Sequence, residues 1–321
     1  MKNKKEKKKG MKKAAALLAE LIVLWGIWNL GAEGKETDIH SFFENSEDAR
    51  LPQTIVNRVV TDFLQDPLPE GKEKKKVIIL GYDGFREDGL EAILEDPQSS
   101  VRVTAKMGGL YHTYAGGEES RRQETSTGPG WASILTGGWS DATGISSCAD
   151  PKRSSARTFL MDAAEWGYPS AFLASWADHF TVTYKQDIAY ASQNQLPLRY
   201  VRTMGDEETY ETVLELVTKR QGQEKSEMQD PDVILFILEM TDRAGHQTGY
   251  GNQNPYYRDA CTIADACGRN ILWEIKHRDT YEKEDWLILI TTDHGGSGTS
   301  HGGQTEEERN TWLASSRKIE G

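Results

Sequence analysis

Three short apolar runs are spread along this chain, and an aspartate follows each of them. Val77-Ile78-Ile79-Leu80 leads to Asp83. Val233–Leu238 leads to Asp242. Trp286-Leu287-Ile288-Leu289-Ile290 leads to Asp293. Apolar runs this short, without alternation, read as strands buried on both faces. Residues 171–174 and 311–314 read as further strands. Helical patterns cover residues 89–94, 127–136, 158–166, 207–220 and 256–277. Strands alternating with helices specify an α/β fold with a mostly parallel central sheet and helices on both faces. Such sheets collect ligands beyond the carboxyl ends of their strands. The three aspartates are therefore expected on one rim.

The termini of the pattern suggest how the chain is organised. Residues 1–13 hold eight lysines against one glutamate and read as a basic, cytoplasmic flank. Residues 14–32 are apolar apart from Glu20 and Asn29. A basic flank before an apolar run is a signal peptide or a transmembrane anchor. Either reading places an N-terminal helix ahead of the domain and puts the body outside the cytoplasm, attached to the membrane or secreted. Residues 33–75 read as a polar spacer with one helix near residues 51–64. Residues 76–321 read as the catalytic domain. The net charge is −12 although so many basic residues sit at the start. So acidic a body lacks the positive footprint of a nucleic-acid binder. The cysteines, Cys148, Cys261 and Cys267, form no CxxC pair and read as free thiols.

The strand ends also carry histidines. Asp293 is followed directly by His294, and His301 comes seven residues later among glycines. His246 lies four residues after Asp242, which puts both on one face if a helix begins there. A single aspartate after a strand is often only a cap or turn residue. Three Asp and three His in this order offer ligands for two divalent metal ions. The mixed oxygen and nitrogen set suits zinc, with manganese the alternative. His40, His112, His179 and His277 fall outside this pattern and read as structural.

Tyr82-Asp83-Gly84, Thr127-Gly128-Pro129, Thr136-Gly137, Asp242-Arg243-Ala244-Gly245-His246, Asp293-His294-Gly295 and His301 together resemble the alkaline phosphatase superfamily. Within it they resemble the type I phosphodiesterase/nucleotide pyrophosphatase branch, over residues 77 to about 315. The resemblance implies a nucleophile at Thr127, with proline two residues on at Pro129 and the Thr-Gly pair nine on at Thr136. Thr125, Ser126 and Ser133 miss that register. It implies one ion on Asp242, His246 and His301. The other would lie on Asp83, Asp293 and His294 with the Thr127 hydroxyl, about 4 Å from the first. The activity implied is a metal-dependent phosphoric ester hydrolase, diesterase or monoesterase, working through a phosphothreonine on a small-molecule phosphate ester.

Two departures stand out. Cys148 occupies the position, 21 residues after the nucleophile, where that branch has asparagine. The last histidine follows the Asp-His pair by seven residues, where the branch has a long insertion. The alternatives are a sulfatase, a phosphomutase or an inactive metal-binding ectodomain. A sulfatase builds its aldehyde nucleophile from Cys or Ser, which Thr127 cannot supply. Aromatic residues Trp131, Trp139, Trp176, Phe180, Tyr250, Tyr256 and Tyr257 are candidates to line a substrate pocket.

Overall fold

A computed structural model of the chain describes residues 38–150, 156–218 and 230–320. The expected signal or anchor helix lies outside the described residues. Among those described, no helix is long and apolar enough to cross a membrane.

The chain opens with β1 (Leu51–Pro52), α1 (Ile55–Gln65), β2 (Lys74–Tyr82), α2 (Ser100–Ala105) and β3 (Gly109–Tyr114). A small hairpin of β4 (Gly117–Glu118) and β5 (Arg121–Arg122) follows. Next come α3 (Thr127–Thr136), α4 (Ser140–Thr143), α5 (Phe159–Glu165), β6 (Ser170–Ala174), α6 (Lys185–Gln193), β7 (Leu198–Arg202) and α7 (Asp206–Val217). The last third holds β8 (Val233–Leu238), α8 (Met240–Thr248), α9 (Pro255–Lys276), β9 (Glu284–Thr291), α10 (Glu306–Arg309) and β10 (Asn310–Ser315).

Eight strands form one sheet in the order β1-β3-β10-β9-β2-β8-β6-β7. All of its pairings are parallel except those of β10, which runs against both neighbours. The three aspartate-bearing strands β9, β2 and β8 are adjacent at its centre. Gly81 pairs with Thr291 on one side and Ile237 on the other. Asp83 and Asp293 thus leave the sheet level with each other, two residues beyond a paired position. Asp242 follows one turn into α8.

Side-chain alternation divides the core into two layers. Ile78, Leu80 and Tyr82 face one cluster, shared with α7 and α9. Val77 and Ile79 face the other, shared with α1, α3 and α5. Helix α9 shows why it packs as it does. Tyr257, Cys261, Ala264, Ile271 and Ile275 recur at three- and four-residue steps or multiples of them and are all buried. Asn254 caps its first turn and Pro255 opens it.

The stretch read as a spacer contributes to this core. Helix α1 buries Ile55, Val56, Val60, Phe63 and Leu64, and β1 pairs with β3. The lysine run ending that stretch is the start of β2. Lys76 is fully buried and reaches Asp230 at 2.8 Å and Asp232 at 3.1 Å. Burial pushes its amine down, and the two carboxylates oppose that shift.

Candidate metal centre

The rim above β9, β2 and β8 gathers the six acidic and histidine residues into two groups of three. The deep group is Asp83, Asp293 and His294, each no more than 1% exposed. His294 Nε2 lies 3.5 Å from Asp83 Oδ1 and 3.5 Å from Asp293 Oδ2. Gly84 N–H donates to Asp293 Oδ1 at 3.2 Å, and Trp131 Nε1–H donates to Asp83 Oδ2 at 2.9 Å. Asp293 Oδ2 is buried and accepts no hydrogen bond.

Thr127, the first residue of α3, faces this group. Its Oγ1 lies 3.4 Å from Asp83 Oδ1 and 3.5 Å from His294 Nε2. Close approach of the helix needs Gly130, because a Cβ there would stand 2.8 Å from the Asp293 carbonyl oxygen. The other hydroxyls weighed from the sequence are used elsewhere. Thr125 Oγ1 donates to Gly303 O and accepts from Gly302 N–H. Ser133 Oγ accepts from Gln123, and Ser126 Oγ donates to Glu124.

The rim group is Asp242, His246 and His301, and it meets solvent. The His246 side chain is 44% exposed. Helix α8 puts Asp242 and His246 on one face, with Oδ2 to Nε2 at 3.4 Å. His301 Nε2 approaches Asp242 Oδ1 at 3.6 Å and His246 Nε2 at 3.1 Å.

Every one of the three rings spends its Nδ1–H on a backbone carbonyl: His294 on Gly295 at 2.7 Å, His246 on Thr299 at 3.0 Å and His301 on Thr125 at 3.1 Å. A neutral imidazole with Nδ1 protonated presents a bare Nε2 lone pair. Three such lone pairs and three carboxylates therefore point inward. Burial lowers the pKa of His294 and takes His301 down to about 3, with His294 adding to the latter shift. Both rings stay neutral, which is the ligating form. Burial raises Asp83 and Asp293 well above the usual carboxylate range, and the charge of Asp242 adds to both. An electron-rich cluster with an orphaned carboxylate oxygen fits divalent cations.

The sequence comparison gives the same direction. The model of the family "Type I phosphodiesterase / nucleotide pyrophosphatase" matches residues 77–320. The chain belongs to that family. A search of the curated proteins finds no match. Among solved structures, a putative sulfatase from Bacteroides thetaiotaomicron is similar at TM-score 0.54 and 10% identity. That match covers 77% of this chain and 65% of the other. Human ectonucleotide pyrophosphatase / phosphodiesterase 5 is similar at TM-score 0.48 and 19% identity, over 68% of this chain and 57% of its own. The chain spans 57% to 65% of the length of these two structures. At 10% identity the sulfatase likeness shows a shared fold alone.

Family motifs do not announce the residues that support the centre. Trp131, read only as a pocket aromatic, is fully buried and holds Asp83. Thr241 Oγ1 donates to the Asp83 carbonyl oxygen. Tyr257, also read as a pocket aromatic, is buried in the core; its hydroxyl donates to Gly84 O at 2.6 Å and accepts from Arg86 N–H at 2.8 Å. Cys148 lies beside the first turn of α3, where its Sγ accepts the Gly128 N–H at 3.4 Å. Burial holds its thiol above the ordinary range. A third His/Glu group, His40, Glu87 and His112, sits away from this rim. There Arg50 forks both oxygens of Glu87, at 2.6 and 2.9 Å, so the carboxylate has a cationic partner from the protein itself.

Proposed function

We propose that this protein is a metal-dependent phosphoric ester hydrolase in which Thr127 is the nucleophile. The observation that carries this reading is the placement of Thr127 Oγ1 at the first turn of α3, against Asp83 and His294. The residues suited to hold one cation are Asp83, Asp293 and His294 with the Thr127 hydroxyl. Those suited to a second are Asp242, His246 and His301. When bound, divalent cations of the zinc or manganese type supply the charge that favours the threonine alkoxide and offsets the negative phosphoryl oxygens.

The chain's own groups then do the following. Thr127 Oγ1 attacks phosphorus in line, the ester oxygen leaves, and the phosphoryl group rests on Thr127. Water cleaves that phosphothreonine and regenerates the hydroxyl. The first-turn N–H groups of α3 favour an anion at this position. The Gly128 N–H is one of them, and its present acceptor is only the weakly accepting sulfur of Cys148. The substrate is a small phosphate ester, as the family's activity suggests. Residues 1–32 support a location outside the cytoplasm.

The test is hydrolysis of an aryl phosphate monoester and diester by protein loaded with zinc or manganese. Turnover that disappears in Thr127→Ala, with metal content unchanged, is the expected result. Absence of turnover on both esters with two metal equivalents bound would contradict the reading.

A further inference from the structure

Tyr250 touches all three members of the rim group. Its hydroxyl donates to Asp242 Oδ1. Its ring stands edge-on to His246, centroids 5.7 Å apart at 76°, and edge-on to His301, 6.3 Å apart at 88°. Its backbone N–H donates to Gly298 O at 2.8 Å. Gly298 belongs to the loop that carries His301 and Thr299, the acceptor for His246 Nδ1. The ring is also a wedge between that loop and α8. A Cβ on Gly245 would lie 2.3 Å from it, and one on Gly296 would lie 2.6 Å from it. One side chain thus orients the carboxylate, borders both imidazoles and fixes the spacing of the two segments that supply them.

The deep group is supported differently. Trp131 and the Gly84 N–H hold its carboxylates. The Tyr250 hydroxyl bonds Asp242 instead, and the Tyr250 ring reaches the Gly84 segment only through Tyr257, centroids 5.7 Å apart, a contact that phenylalanine keeps.

We infer that Tyr250 is a positioning residue that sets the affinity of the rim group for its cation and leaves the deep group unaffected. This rests on the two-cation reading above. Without the hydroxyl, Asp242 keeps its place on α8 but loses the donor that fixes the rotation of its carboxylate. Outer partners of this kind typically change metal affinity by about 10–100-fold.

The experiment is equilibrium dialysis of the full chain against graded free zinc or manganese, with metal counted by mass spectrometry. Tyr250→Phe keeps the wedge and removes the hydroxyl. Its expected behaviour is one equivalent bound as in the parent and the second bound about 10–100-fold more weakly. Metal-free Tyr250→Phe should unfold at the temperature of the metal-free parent, which separates positioning from folding. In an Asp242→Ala background, adding Tyr250→Phe should change nothing further. Two equivalents held by Tyr250→Phe with parental affinity would overturn the inference and leave the two-cation reading standing. Equal weakening of both equivalents would overturn the claimed selectivity. A parent protein that binds fewer than two equivalents would overturn both readings.

Discussion

Asp265 and Asp293 are both shut away from solvent, 4% and 0% exposed. Asp265 Oδ1 accepts from Ser99 Oγ at 3.0 Å, Ser100 Oγ at 2.7 Å and Val101 N–H at 3.2 Å. Asp293 Oδ2 accepts nothing, and Asp83 and Asp242 lie close by. The first is a buried acid that the fold itself satisfies. The second is a buried acid among other acids, which a cation would complete. The contrast shows how to tell a structural carboxylate from a ligand when both are equally hidden. Burial depth does not separate them, but the donor inventory does.

The sharpest way to break this contrast is to mutate both. Asp293→Ala should remove the deep cation and reduce ester turnover by more than about 10³-fold, an effect of the size seen when a working part of a catalytic unit is lost. Asp265→Asn should leave metal content and turnover at the parental level. Equal losses in the two variants, measured by metal counting and steady-state kinetics, would show that the donor inventory carries no functional information.

A smaller effect lies in the pH dependence of stability. Burial is the main reason Asp265 is pushed up to about 6, against an ordinary value of 3.8, with its three donors opposing. The folded state therefore holds this proton at pH values where the unfolded chain has released it. Stability from this group is complete below about 3.8 and declines as pH rises through about 6, by about 3 kcal/mol in total. Asp265→Asn should lose that decline, which denaturant titrations of the metal-free forms across this window would detect. An unchanged pH profile would contradict the assignment.

Next in size is a gain. In the metal-free protein, Asp293→Asn removes a buried carboxylate whose Oδ2 accepts no hydrogen bond, and should raise stability near neutral pH by about 1–3 kcal/mol. Destabilisation instead would mean that Asp293 holds the fold together without a cation. The smallest effect belongs to Cys148→Ser. A hydroxyl can accept the same Gly128 N–H, so turnover should change by less than about tenfold. A total loss would give the thiol a role in the chemistry itself.

Much of this was readable from residue order. The three central strands were visible as apolar runs, since burial on both faces leaves no room for polar alternation. The grouping of Asp83, Asp293 and His294 apart from Asp242, His246 and His301 followed from the family motifs, and the geometry places the same residues together. The outer strands were harder to see. Leu198–Arg202 and Gly109–Tyr114 mix polar with apolar residues because each lies towards a margin of the sheet. The start of β2 was hidden by three lysines, two of them buried. No local pattern shows that Asp230 and Asp232, more than 150 positions away, neutralise Lys76. Trp131 and Tyr250 were legible only as aromatics. Their roles depend on which carboxylate their N–H or O–H meets across the fold, and spacing along the chain does not encode that.

The most direct test of the central claim is to stop turnover of a phosphate ester with acid and map phosphate on the peptides by mass spectrometry. The account predicts phosphate on Thr127, absent when the protein carries Thr127→Ala. Turnover with no phosphate on Thr127 at any time of quenching, together with parental activity in Thr127→Ala, would contradict it.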